Sequence, residues 1–357
     1  MAKKDGLEEV IRKYTSDLST TDKTTEQIVN IHYDMAGQYA RFNEMENAKR
    51  CLNKATKCLD ESTPPQSTVE ESLALAENYL KIGLRFDALN YSCEYAAVEV
   101  MRQSLQICTD LCERGISAEQ TAVVQTKIIK IISDIEHSLV TLDRIDEAEE
   151  VLLRGAAIAD DIVDGESHKD LKADAASIYR SLGLLYSTKL SDLVSASTYF
   201  LKSIDLRPSP YTYLITAENF SNMGLLDKAK EYYSELVTIL SKPGANIPHF
   251  RAKAHQGLGV VNMKLEQFQD SENHFAKSVH FFMKCYYWAG CSKDQRPRIA
   301  DVNIKRAINL ERMGQRGAAI SSYKEALKYA DDTNRAYIES SLNRLGKPHQ
   351  TGKLRKT

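Results

Sequence analysis

One spacing recurs along this chain: a small residue, an alanine twelve positions later, and a bulky apolar residue four beyond that. Around "NFSNMGLLDKAKEYY" it reads Ala217, Ala229 and Tyr233, with Phe220 inside the same unit. It returns as Ala36, Ala48 and Leu52, as Gly259, Ser271 and Phe275, and as Ala307, Ala319 and Tyr323. Ala76 and Ala88 open a further unit, which has Ser92 in place of the closing bulky residue. Gly183, Tyr186, Ala196 and Phe200 give a copy with one residue inserted in its turn, and Leu139, Ala148 and Leu152 a weaker one in which Glu136 replaces the small residue. Two antiparallel helices approach closely only where a small side chain lets the backbones meet, and a large neighbour then fills the space beside the crossing. Phe220 and Tyr233 are therefore expected as core fillers and Ala229 as the crossing point. The turns should favour residues that tolerate left-handed backbone, expected at Asn43, Gly83, Gly224 and Gly314.

Long stretches without Gly or Pro favour helices over a strand-and-turn fold, and no alternating segment of useful length argues against that. Gly and Pro cluster instead in "DESTPPQST" (60–68), "VDGES" (163–167), "RPSPY" (207–211), "SKPGANIPH" (241–249) and "GCSKDQRPR" (290–298), which read as loops. Thr24 with Gln27 reads as a capping box opening the first long helix, and 85–113 reads as one helix.

These residues resemble the tetratricopeptide repeat (TPR) family, whose pattern W-x2-L-G-x2-Y…A-x3-F…P is matched most fully by Leu182, Gly183, Tyr186, Ala196, Phe200 and Pro208. About seven units cover 28–331. No unit has the leading tryptophan: His32, Ser72, Ile132, Tyr179, Tyr213, His255 and Asn303 hold that place. Marker residues are 40, 60, 48, 33, 42 and 48 apart, so most helix pairs are longer than the family standard. The resemblance implies an all-α, right-handed α-solenoid. In it 1–27 is an N-terminal cap, 28–331 one continuous array, 332–346 a capping helix and 347–357 a basic tail. It also implies a concave groove lined by the first helix of each pair. That face maps onto Arg180, Leu184, Tyr211, Leu214, Glu218, Lys253, Gln256, Val260, Asp301, Ile304, Lys305 and Ile308. These are mixed in charge and moderately apolar, suited to a partner peptide or amphipathic helix. The carboxylate clamp of the family's chaperone-tail binders needs Lys and Asn four apart on this face. Arg180 is followed there by Leu184, Leu214 by Glu218 and Gln256 by Val260, so the clamp is missing.

Nothing in the sequence argues for catalysis. The phosphate-cradling, dinucleotide, metalloprotease and nucleophile-elbow motifs are absent. The seven cysteines include no C-x-x-C pair, and Cys108 with Cys112 lacks a second pair of ligands, so neither metal nor cofactor is expected. His32, His137 and His255 fall on first-helix positions and read as packing or groove-lining residues. The start "MAKKDGLEEV" lacks a signal peptide's apolar core and no run is long enough to span a bilayer, so the expected location is cytoplasmic or nuclear. The expected function is a non-enzymatic adaptor or scaffold that binds another protein.

Charge is unevenly spread. Residues 61–170 hold 9 Lys+Arg against 22 Asp+Glu, while 261–357 hold 18 against 10. Head-to-tail self-association of the acidic and basic ends follows as an expectation. Arg298, Lys305, Arg312 and Arg316 form a basic series, supplemented by Lys293, Arg296, Lys353, Arg355 and Lys356. A helical-repeat nucleic-acid binder is the alternative they raise. The aromatic run "HFFMKCYYW" (280–288), ending in Tyr286, Tyr287 and Trp288, is a candidate hot spot, with burial by helix 296–313 as the competing reading.

Overall fold

The computed structural model describes residues 2–20, 22–62, 68–89, 94–164, 169–242, 247–287 and 295–346. These form sixteen helices and no strand. Two compact units divide the chain, Met1–Leu185 and Tyr186–Thr357. The first holds α1 (Ala2–Leu18), α2 (Thr25–Arg41), α3 (Met45–Ser62), α4 (Val69–Asp87), α5 (Glu94–Glu113), α6 (Ala118–Thr141) and α7 (Ile145–Asp164). Helix α8 (Lys169–Thr188) runs through the boundary. The second holds α9 (Leu193–Leu206), α10 (Pro210–Asn222), α11 (Leu226–Ser241), α12 (Pro248–Lys264), α13 (Phe268–Tyr287), α14 (Arg296–Arg312), α15 (Arg316–Leu327) and α16 (Asp332–Gly346). Consecutive helices pack as pairs, α2/α3, α4/α5 and α6/α7 in the first unit and α10/α11, α12/α13 and α14/α15 in the second.

The recurring small residues stand at these crossings. Ala36, Ala48, Ala217, Ala229, Ala307 and Ala319 are fully buried, and Leu52, Phe275 and Tyr323 fill the space beside them. In α12/α13 the crossing is close: a Cβ on Gly259 would stand 2.6 Å from the Phe275 ring. Ser271 replaces alanine there because its buried hydroxyl donates to the Gly259 carbonyl at 2.7 Å, and Ser278 repeats this against the Ala252 carbonyl at 2.8 Å.

The α4/α5 pair departs from the spacing. Gly83 is not a turn residue: it lies buried inside α4, where a Cβ would strike Met101 and come within 3.2 Å of the Ala97 carbonyl. Ala88 is an exposed cap residue rather than a crossing point. The crossing is made instead by Ala76 and Gly83 against Ala97, Met101 and Ser104, whose hydroxyl donates to the Ala76 carbonyl at 2.5 Å. Nor is 85–113 one helix, since α4 ends at Asp87 and α5 begins at Glu94.

Turn chemistry follows one design. Asn43, Gly224 and Gly314 have φ of 63°, 76° and 72°, and Asp143, Ser191 and Glu266 adopt the same left-handed state at 57°, 57° and 60°. In five of these turns the next residue's N–H reaches back five residues to a helix carbonyl, as from Glu44 to Tyr39 and from Gln267 to Asn262, each at 2.8–2.9 Å. The Ser191 turn reaches back six, from Asp192 to Tyr186, which is the inserted residue. A long charged side chain gains nothing from this conformation. Glu266→Gly is therefore expected to raise unfolding free energy by about 0.5–1 kcal/mol in denaturant titration. A loss of stability would mean that the Glu266 side chain contributes more than its backbone costs.

Helix starts show where composition misleads. Thr24 and Gln27 do form the expected capping box, repeated at Thr68/Glu71 and Ser117/Gln120. Three of the stretches expected as loops end in helix starts, with Pro210, Pro248 and Pro297 in the first turns of α10, α12 and α14. Adjacent pairs are tied by buried amides: Asn219 donates to the Leu193 carbonyl at 2.8 Å and Asn309 to the Phe268 carbonyl at 2.9 Å.

Candidate binding groove

Helices α10, α12 and α14 are the first members of three successive pairs in the second unit. Their side chains converge on a cavity of about 210 Å³ lined by Glu218 and Ser221 from α10, Lys253, Gln256, Gly257 and Val260 from α12, and Lys305 from α14, with Tyr233 of α11 behind them. Tyr233 reaches this cavity because Gly257 has no side chain: a Cβ there would collide with the hydroxyl-bearing end of its ring. A glycine within a helix weakens it by about 1 kcal/mol, so a close approach of this kind is its physical justification.

The polar groups are of two kinds. Asp301 of α14 accepts from Gln256 Nε2 and Lys305 Nζ, both at 2.6 Å, which ties α12 to α14 along one wall. Glu218 and Lys253 are neither hydrogen-bonded nor ion-paired to a described residue. Glu218 is exposed as a whole residue, yet crowding by protein raises its carboxyl pKa, against the opposing pull of Lys253. Burial, and then the Glu218 charge, push the Tyr233 phenol up, so it remains a neutral hydroxyl. One carboxylate, one ammonium and one phenol thus face a small open space without partners among the described residues.

No family model matches the sequence, and no curated protein matches it. Solved structures do match in shape. The apo form of RapI aligns with a TM-score of 0.56 at 10% identity, over 89% of this chain and 82% of that one. BtubC from P. vanneervenii aligns at 0.51 and 13% identity, over 82% of this chain and 99% of that one. YrrB, described as a TPR protein with an unusual peptide-binding site, aligns at 0.40 and 14% identity over 59% and 91%, too low a score to bear on this chain. The fold is a TPR-like helical repeat.

On this TPR-like scaffold the expected groove residues separate into groups. Glu218, Lys253, Gln256, Val260 and Lys305 line the cavity and Asp301 braces it. Leu214 and Ile304 do not line a groove: at 1% and 8% exposure they are packed into core clusters, because each falls on the inner edge of its helix. Ile308 is half-buried against the same cluster as Ile304, and Tyr211 is 42% exposed. Arg180 and Leu184 are half-buried on α8. Ser221, Tyr233 and Gly257 belong to the site without having been expected there. The signal was present in "HQGLGVV", where two glycines two apart inside a helix mark two close approaches and not one.

The basic series is largely engaged within the protein. Arg298 lies 2.8 Å from His249 Nε2, Lys305 binds Asp301, and Arg316 donates to the Leu345 carbonyl at the end of α16, leaving Arg312 exposed. In the aromatic run Phe282 is fully buried, Phe281 stacks on His255 at 5.7 Å, and Tyr286 meets Tyr329 edge-on at 5.9 Å. Tyr287 is 73% exposed. Trp288, Lys293 and the tail 347–357 lie outside the described residues.

A second concavity occurs in the first unit. Helices α5, α6 and α7 enclose about 400 Å³ with an apolar floor of Leu105, Ile128, Ile132 and Ile158, beside the half-buried Cys112. Burial raises the Cys112 thiol pKa, so it is not a reactive thiolate. No group of three or more potential metal ligands occurs among the described residues, and no helix is long and apolar enough to cross a membrane.

Proposed function

We propose that this protein is a non-enzymatic adaptor that holds a peptide or amphipathic helix of another protein against the α10–α12–α14 face, as a subunit of a larger cytoplasmic complex. The observation that carries this reading is the convergence of side chains from three separate first helices on one cavity, two of them charged and unpaired. A partner segment can meet Glu218 and Lys253 with opposite charges and place an apolar group against Val260 and the Tyr233 ring. Recognition through such partly desolvated charges is specific because a mismatched partner leaves them unpaired. The opposed charges of 61–170 and 261–357 further support head-to-tail self-association, weakened by salt.

Affinity capture of the tagged full chain from native lysate at physiological salt, read by mass spectrometry, tests the groove. The variant carries Tyr211→Ala, Glu218→Ala and Lys253→Ala. One protein retained in stoichiometric amount by the wild type and lost by the variant is the expected result. Identical protein capture by both, or retention of nucleic acid alone, would overturn it.

A further inference from the structure

We infer that the α5–α6–α7 groove of the first unit receives the basic segment 347–357 of a second copy of this chain. This deepens the self-association proposed above and is independent of the partner groove in the second unit. The groove presents the half-buried Ile158 and the exposed Ala157, above the closed core side chains Leu105, Ile128 and Ile132, together with two carboxylates on its lining, Glu113 and Asp161. Neither carboxylate is ion-paired to a described residue, and Arg154 is the one cation on the same lining. The surrounding stretch 61–170 carries thirteen more acidic than basic residues, so the field around the groove is strongly negative.

The segment "KPHQTGKLRKT" has the complementary chemistry. It contains Lys347, Lys353, Arg355 and Lys356 with no acidic residue, and a single large apolar residue, Leu354, flanked by cations on both sides. A leucine supplies an anchor to set against Ile158, and the stems of its basic neighbours cover further apolar surface while their heads remain near Glu113 and Asp161. Glu and Asp on a groove rim chiefly set which charge is admitted and how fast, while the buried apolar anchor supplies affinity. A neutral or acidic segment of equal apolar content lacks the first of these contributions.

The test uses the full chain with its own tail neutralised (Lys347→Gln, Lys353→Gln, Arg355→Gln, Lys356→Gln) and a fluorescent peptide of residues 347–357. Saturable binding at about 50 mM salt is expected, weakening about tenfold or more by about 300 mM. Glu113→Lys with Asp161→Lys should weaken it about tenfold as well, and Leu354→Asp in the peptide should abolish it. Absent binding at low salt, or binding unaffected by the groove substitutions, would overturn the assignment. Sedimentation of the unaltered chain separates the two layers of the proposal. Association that survives neutralising the tail would show that self-association occurs through another surface. A single species unchanged by salt, beside a peptide that does bind the groove, would remove the second copy as the source of the segment.

Discussion

Gly259→Ala is expected to destabilise the protein by about 2–3 kcal/mol, whereas Gly317→Ala is expected to stabilise it by about 0.5 kcal/mol. The chemical change is identical, and both positions lie in helices of the second unit. At Gly259 the new methyl group would stand 2.6 Å from a fully buried Phe275 ring, which has no solvent to move into. At Gly317 nothing lies within 4 Å, so only the gain in helix propensity remains. The α12/α13 crossing must open to admit the methyl group, and the thermal midpoint should fall by roughly 5–10 °C. Equal effects at the two sites would show that close backbone approach is not what holds this pair together.

Acidification is expected to weaken the second unit between pH 6.5 and about 4. His249 and His255 are both held down to about 4. Burial is the main cause in each, followed by Arg298 for His249 and by the adjoining His274 for His255, whose Nδ1 lies 3.0 Å from its own. Below 6.5 the unfolded chain therefore binds protons that the folded one refuses, and stability falls until the folded groups also titrate. Allowing for solvent screening at the half-buried His249, the combined loss is on the order of 2–3 kcal/mol. Glu218 acts in the opposite direction, because its raised pKa lets the folded state take up a proton first, and it offsets part of the loss. Denaturant titrations at pH 7 and pH 5 measure the difference, and His255→Gln should reduce it. An unchanged midpoint across that range would contradict neutral burial of these rings.

How far the sequence could be read depended on which constraint each residue obeys. Ala48, Ala229, Ser271 and Ala319 were legible because helix crossings admit only small side chains, and the spacing between two crossing residues is fixed by helix geometry. The α4/α5 pair was not, because Gly83 serves as its crossing residue one turn away from any turn. A glycine in sequence does not announce whether it supplies left-handed backbone or close approach. The left-handed turns at Asp143, Ser191 and Glu266 were hidden for the converse reason, since the turn geometry there is imposed by the packed helices against the preference of the residue. In the groove, a helix face could be assigned from periodicity but its edge could not. Leu214 and Ile304 lie where the stripe turns inward, and only packing decides on which side of that line a residue falls. Tyr233 is the core filler that its spacing implies, at 4% exposure, but the gap at Gly257 also brings its phenol to the cavity.

Amide hydrogen exchange on the protein with and without its captured partner tests the groove assignment most directly. Slowed exchange over the α10 segment at Glu218–Ser221, the α12 segment at Lys253–Val260 and the α14 segment at Asp301–Lys305 is the result expected. Slowed exchange confined to other helices, with these three segments unchanged, would contradict it.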